Sequence, residues 1–204
     1  MRVPIAKEST PFVAVLLLAA VVLGAWRPWL AVMPLALLAF VLWFFRDPER
    51  EIATGPGVVV SPSDGRVIKV DDREISIFLN LFNVHVARSP VAARIRTATH
   101  TPGRFMAAFK DEASEHNERT TLELDGRGGR MRVVLVAGLV ARRIVCWVAE
   151  GQELEAGERL GIIRFGSRVD LVLPEGSVPS VRVGERVWGG ESAIAHLPDT
   201  TADW

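Results

Sequence analysis

Cysteine is nearly absent from this 204-residue chain. Its single instance, Cys146, lies between Val145 and Trp147. A disulfide within one chain is therefore excluded, and no Cys/His spacing of a metal site exists. The lone thiol reads as a buried apolar group. Charge of one sign is also lacking: 24 Lys and Arg balance 24 Asp and Glu. No basic excess points to nucleic acid. No lysine follows Lys110, which excludes a lysine-tethered cofactor from the last third of the chain. Long apolar runs are missing too, except between residues 12 and 45, and the remainder has the make-up of one modest globular domain.

The apolar block consists of a 15-residue run from Phe12 to Trp26 and a 17-residue run from Trp29 to Phe45. Each is short of the roughly 20 residues that a spanning helix needs. Pro28 disfavours helix at Arg27, so a break is expected there. Trp26, Trp29 and Trp43 sit near the run ends, where indoles prefer a membrane interface. Arg2 and Lys7 precede the block and Arg46 and Arg50 follow it. Cations on both outer flanks favour a hairpin with both ends cytoplasmic, against which Arg27 at the tip counts. A shallow, re-entrant or interfacial helix pair competes with the hairpin. So does a secretory signal peptide, although cleavage near Gly24-Ala25 would leave the second run in place. The expected organisation is a membrane-anchoring helical segment over 1–46 and a globular domain over 47–204.

The globular part reads as mainly β, a barrel or sandwich with a few short helices. Ser61-Pro62-Ser63-Asp64-Gly65 is a turn by composition and leads into the strand-like Arg66–Val70. Ile75–Leu79 is a further strand, which Val84–Ala87 either extends or follows as the next one. Thr120–Leu124 and Met131–Val136 flank Gly126-Arg127-Gly128-Gly129, the pattern of a hairpin. Residues 137–149 are ambiguous between strand and helix. In the last third, the glycine-spaced runs 151–161 and 181–190 each suit a tight turn between two short strands, as in a barrel built from hairpins. Such runs also occur in carrier domains, whose swinging lysine this chain lacks.

Four polar features stand out from these surroundings: Asp64, His85, the run His116-Asn117-Glu118-Arg119, and Ser167 after Gly166. A glycine before a serine permits a backbone that most residues avoid. It also bares the Gly166 carbonyl to the Ser167 hydroxyl. Attack there would give an ester, and elimination would then cut the chain and leave a ketone at residue 167. A base is needed, and His85 suits the task near neutral pH. Asp64 would hold the imidazole tautomer, as in a serine triad. By themselves these residues have plainer readings. A Gly-Ser pair and an Asp before glycine are ordinary turn residues. A histidine in Val84-His85-Val86 is more often structural, and charges at 116–119 are usually solvated. His100 and His196 carry no assigned role.

Five segments together change that balance. They are Phe44-Phe45-Arg46-Asp47-Pro48, Ser61–Gly65, Asn80-Leu81-Phe82-Asn83-Val84-His85, Glu115–Arg119 and Phe165-Gly166-Ser167-Arg168-Val169-Asp170. In order and spacing the chain resembles the short bacterial form of the phosphatidylserine decarboxylases, a pyruvoyl-dependent family, from Phe44 to about Trp188. The resemblance implies self-cleavage between Gly166 and Ser167, giving a β chain of residues 1–166 and an α chain of 167–204 that stay together as a heterodimer; a higher oligomer is left open. It implies that Ser167 becomes a covalent pyruvoyl group, which binds the substrate amine as a Schiff base without a metal. Asp64 and His85 are implied in processing, and His85 in decarboxylation. The chain departs from the longer members in reading Phe-Gly-Ser-Arg at the cut where they have Leu-Gly-Ser-Thr, and in having Phe82 where they carry a second histidine. Any hold that residue has on the substrate carboxylate must pass to another residue or to water. Asn117, Glu118 and Arg119 are candidates for substrate binding, with Arg119 facing the lipid phosphate or pairing with Glu118. The implied partner is phosphatidylserine in the cell membrane, with the catalytic domain cytoplasmic, in phospholipid biosynthesis. The competing functions are a non-catalytic, membrane-tethered β module and a decarboxylase of another serine-headed lipid.

Overall fold

The computed structural model describes residues 4–106, 116–138, 143–164 and 166–198. The chain forms two compact units, Met1–Glu49 and Arg50–Trp204. In the first, helix α1 (Thr10–Trp26) ends at Arg27, whose backbone is extended (φ −147°, ψ 117°). A 3-10 turn over Pro28–Ala31 then leads into α2 (Val32–Phe44). The break falls where Pro28 excludes helix from the residue before it. Pro34 sits in the first turn of α2, where a missing N–H costs nothing. The two ends of the hairpin are tied together. Ile5 bridges Arg46, and the N–H groups of Ala6 and Asp47 donate to Phe45 and Pro4 carbonyls, each at 2.8 Å. The Phe12 ring stacks on Phe45, and the Arg46 guanidinium lies 4.2 Å from the Trp43 ring centre. Val15, Leu18, Val21, Trp29 and Met33 are all exposed. A helix that is apolar all round suits hydrocarbon rather than water. The 20-residue stretch Lys7–Trp26 is long and apolar enough to cross a membrane, and Pro28–Phe44 is shorter.

The second unit is mainly β, in agreement with the sequence. Its largest sheet has eight antiparallel strands. In spatial order they are β13 (Arg186–Val187), β2 (Gly65–Val70), β3 (Glu74–Leu79), β11 (Ser167–Val172), β7 (Gly129–Ala137), β6 (Arg119–Gly126), β5 (Ala93–Thr101) and β9 (Glu153–Leu154). Two smaller sheets accompany it. One joins β1 (Val58–Val60), β14 (Ala193–His196) and β12 (Val178–Pro179); the other joins β4 (Val86–Arg88), β10 (Arg159–Ile163) and β8 (Ile144–Cys146). Alternation assigns the faces. Ile75, Ile77, Leu79, Val133, Leu135, Val169 and Leu171 all belong to one buried apolar cluster. Ser167 shares their parity and so projects toward the core face. The opposite face of β11 carries Arg168 and Asp170, both buried and ion-paired, with Arg168 Nη2 donating to Ser76 Oγ on β3 at 2.9 Å.

The expected hairpin is β6–β7, closed where Gly126 faces Gly129. Val84–Ala87 does not extend β3, because its last residues enter β4 in another sheet. The two glycine-spaced runs do not form hairpins. The first joins β9, paired to β5, with β10, paired to β4 and β8. The second joins β12, paired to β14, with β13, paired to β2. Both are corners at which the chain changes sheet. In the stretch 137–149, β7 ends at Ala137 and β8 begins at Ile144, while 139–142 lie outside the described residues. Cys146 is half-buried rather than buried, and its thiol approaches the Val148 carbonyl at 3.4 Å.

Candidate active site

The strand register brings most of the candidate residues to one end of the large sheet. Ser167, the first residue of β11, faces Leu79, the last of β3, and Ala137, the last of β7. Arg66 pairs with Phe78, so Gly65 and the preceding Asp64 leave the sheet at that same end. On the other side, Ala137 N–H donates to the Glu118 carbonyl at 2.9 Å. Residues 64, 79, 118, 137 and 167 therefore lie along one rim, with neighbouring strands about 4.8 Å apart.

Ser167 is 0% exposed, and its hydroxyl has no hydrogen-bond partner among the described residues. An orphaned buried hydroxyl costs stability. Gly166 has φ +64°. A Cβ there would meet no atom within 4 Å, so the requirement for glycine is conformational, not spatial. An L-residue in this region pays about 1–2 kcal/mol.

His85 is 1% exposed. Its Nδ1 lies 2.9 Å from the Asn83 carbonyl oxygen, which can only accept, so Nδ1 carries the proton. Nε2 then presents a lone pair, and the N–H of Gly166 points at it from 3.4 Å. The imidazole thus sits against the Gly166 backbone N–H, one residue before Ser167, whose hydroxyl it does not hydrogen-bond. The loop that orients it is itself fixed. Asn80 Oδ1 accepts from Phe82 N–H at 2.8 Å, and Asn83 Oδ1 accepts from Asn80 N–H at 2.9 Å. Asn83 is a site residue that the sequence reading missed. The signal was the asparagine at each end of Asn80-Leu81-Phe82-Asn83, a turn-forming pair.

Asp64 is not bound to His85. Arg50 Nη2 donates to both its carboxylate oxygens at 3.0 Å, and Gly189 N–H donates to Oδ1 at 2.8 Å. Arg50 Nη1 also reaches Glu191 at 3.2 Å. The reason is charge. A carboxylate this well buried takes the nearby guanidinium, which offers more than a neutral imidazole can. The tautomer-holding role expected of Asp64 falls to the Asn83 carbonyl. Arg50, read from sequence as a cation flanking the apolar block, is an internal ion-pair partner. The Asp64 turn is still fitted tightly to the sheet: a Cβ on Gly65 would lie 2.4 Å from the Phe78 carbonyl oxygen.

The substrate-binding candidates separate. Asn117 is fully buried and its carboxamide is committed to backbone. Nδ2 donates to Ala137 O at 2.7 Å and Met106 O at 2.8 Å, and Oδ1 accepts from Met106 N–H at 2.9 Å. Asn117 thus ties the Met106 backbone to the strand beside Ser167. Asn117→Ala strands these polar groups at about 1–3 kcal/mol each, so the expected result is a lower urea midpoint with the KM of the processed fraction unchanged. A raised KM at normal stability would instead make Asn117 a substrate ligand. Glu118 lies 3.9 Å from His100 Nε2. Arg119 begins β6, opposite Thr101 and Val136.

A cavity of about 630 Å³ lies elsewhere. It is lined by Ile52, Val58, Val91, Gly126, Arg127 and Leu197 among others, at the β6–β7 turn. That is roughly 25 Å along β7 from Ala137, too far for the Ser167 chemistry. Among the described residues, no three His, Cys, Asp or Glu side chains gather as a metal site would require.

The family described as Phosphatidylserine decarboxylase matches residues 37–195. A protein of Nitratidesulfovibrio vulgaris named phosphatidylserine decarboxylase proenzyme is 46% identical, over 95% of both chains. One of the same name from Symbiobacterium thermophilum is 48% identical, covering 97% of this chain and 98% of its own. A third, from Syntrophus aciditrophicus, is 42% identical over 93% and 96%. With a family match across most of its length and relatives this close over nearly all of it, the chain belongs to the phosphatidylserine decarboxylase family.

Proposed function

We propose that this protein converts phosphatidylserine to phosphatidylethanolamine and carbon dioxide, using a pyruvoyl group made from its own Ser167. The observation that carries this reading is an orphaned, buried Ser167 hydroxyl directly after a left-handed Gly166 whose own N–H meets the His85 imidazole.

The chain's own residues account for the cut. Ser167 Oγ attacks the Gly166 carbonyl carbon while His85 Nε2 takes the hydroxyl proton. The amide nitrogen leaves, and an ester joins the two residues. Loss of the Ser167 α-proton then expels the Gly166 carboxylate. Water replaces the nitrogen, which departs as ammonia, and a ketone remains at residue 167. The net change is one water in and one ammonia out. The residues fit such a group. Position 167 lies in a strand between β3 and β7, so the new amino end stays fixed without its former peptide bond.

In its finished form, the pyruvoyl ketone supplies the electrophile that takes up the substrate amine and draws off the electron pair left by carbon dioxide. His85 holds a proton at Nε2 for the carbon that loses the carboxylate. The apolar hairpin keeps the protein in the membrane where the lipid is. Lys7 and Arg46, the cations on its two outer flanks, support a cytoplasmic position for both ends of the hairpin.

The test is direct. Vesicles containing phosphatidylserine labelled at the serine carboxyl are mixed with purified enzyme and no added cofactor. Labelled carbon dioxide and phosphatidylethanolamine are expected in equal amounts. A fully cleaved protein that releases neither would overturn the substrate assignment.

A further inference from the structure

Beyond the hairpin, the rim that carries Ser167 has an exposed apolar tip. Phe82 is 69% exposed and Leu81 39%, in the loop whose Asn83 carbonyl orients His85. Hydrogen bonds from Asn80 and Asn83 fix this loop, so the two side chains are presented to solvent by a defined turn. Trp188, 48% exposed, follows the end of β13. Val187 pairs with Gly65, so Trp188 leaves the sheet at the same rim, two strands and about 10 Å from the end of β3.

A second, independent observation lies one residue back from the rim. Arg66 and Arg186 face each other directly across β2 and β13, and both are exposed. Like charges placed so oppose pairing. Arg66 donates to the Gly184 carbonyl at 3.0 Å, and neither arginine has an acidic partner among the described residues. The nearest acid in sequence, Glu185, accepts from the Arg182 backbone N–H at 3.0 Å. Two adjacent cations behind a rim of Phe, Leu and Trp match a surface that is apolar within and anionic at its edge.

We propose that this rim is a second membrane contact, in which Leu81, Phe82 and Trp188 enter the interface of an anionic bilayer while Arg66 and Arg186 meet its phosphates and carboxylates. It rests on the lipid substrate proposed above and adds how the site reaches it. The loop that aims the imidazole is the loop that enters the lipid, so the head group meets residue 167 without leaving the bilayer surface. Aromatic and cationic side chains are the groups that favour this depth.

The experiment uses the full chain with Cys146→Ala and a nitrobenzoxadiazole probe on Phe82→Cys. A control carries the probe on Arg127→Cys, at the far end of the sheet. Both are reconstituted into nanodiscs of phosphatidylcholine with or without phosphatidylserine, containing doxyl-labelled lipid. The probe at 82 should shift to the blue and be quenched by the doxyl lipid, and the probe at 127 should not. Arg66→Gln or Arg186→Gln should each weaken the dependence on anionic lipid about fivefold. If the two probes are equally wet and equally unquenched in both lipid mixtures, the contact does not exist. Shielding at 82 that grows with protein concentration and without lipid quenching would mean a second copy covers the rim, which also overturns the proposal. The same measurement on Ser167→Ala separates this inference from the reaction. A failure of cleavage or of carbon dioxide release leaves the fluorescence result standing.

Discussion

Ser167→Ala gives a single 204-residue band on a denaturing gel, where the unaltered protein gives pieces of 166 and 38 residues. Activity falls to background, a loss on the order of 10⁶-fold or more, because the electrophile is never made. The substitution is structurally mild. It removes one oxygen that has no hydrogen-bond partner among the described residues, and leaves a side chain that suits the core face of β11. Unfolding should therefore show no loss of stability, and removal of the buried orphan should raise it slightly — a sign that a folding defect cannot mimic. Intact mass should show the smaller native piece without a free amine at its start. The two native pieces should also co-purify without denaturant. In the 38-residue piece, β11 lies between β3 and β7, β13 pairs with β2, and β14 pairs with β1. An uncut native protein, or cleavage that persists in Ser167→Ala, would refute the proposed origin of the active group.

Local chemistry was legible in the sequence, and partners distant in sequence were not. The break at Arg27-Pro28 could be read because proline acts on its own neighbour. The β6–β7 hairpin could be read because a glycine-rich turn sat between two alternating runs. The glycine-spaced runs at 151–161 and 181–190 misled for the converse reason. A turn says that the chain reverses, not which strand it meets next, and both runs feed strands whose partners lie far away in sequence. The candidate site divides in the same way. Gly166 announced its left-handed backbone. Arg50 did not announce that its guanidinium closes on Asp64, because nothing in the spacing of 50 and 64 requires it. Asn117 looked like a polar group free for substrate, yet backbone groups at 106 and 137 use its whole carboxamide. His85 and Gly166, 81 positions apart in number, meet only because β4 pairs with β10, whose end at Ile163 lies three residues before Gly166.

His85→Ala slows the cut by roughly 10²–10⁴-fold, the usual worth of a positioned general base. The effect is read as the half-time for the full-length chain to disappear after synthesis. Asp64→Asn should slow it less. If the sequence reading of a serine triad held, the two substitutions would be nearly equivalent, since each would disable the same base. The geometry separates them. The proton on Nδ1 is held by the Asn83 carbonyl, which neither substitution removes, and the carboxylate of Asp64 is spent on Arg50 and Gly189. Asp64→Asn therefore leaves the imidazole aimed at Gly166 and disturbs the turn below it. His85→Ala removes the lone pair itself and leaves a cavity the size of the ring. Added imidazole should enter that cavity and restore part of the cleavage, which no purely structural loss would allow. Equal slowing by Asp64→Asn, with no rescue of His85→Ala, would return the carboxylate to the imidazole during the reaction and require the Arg50 pair to open first.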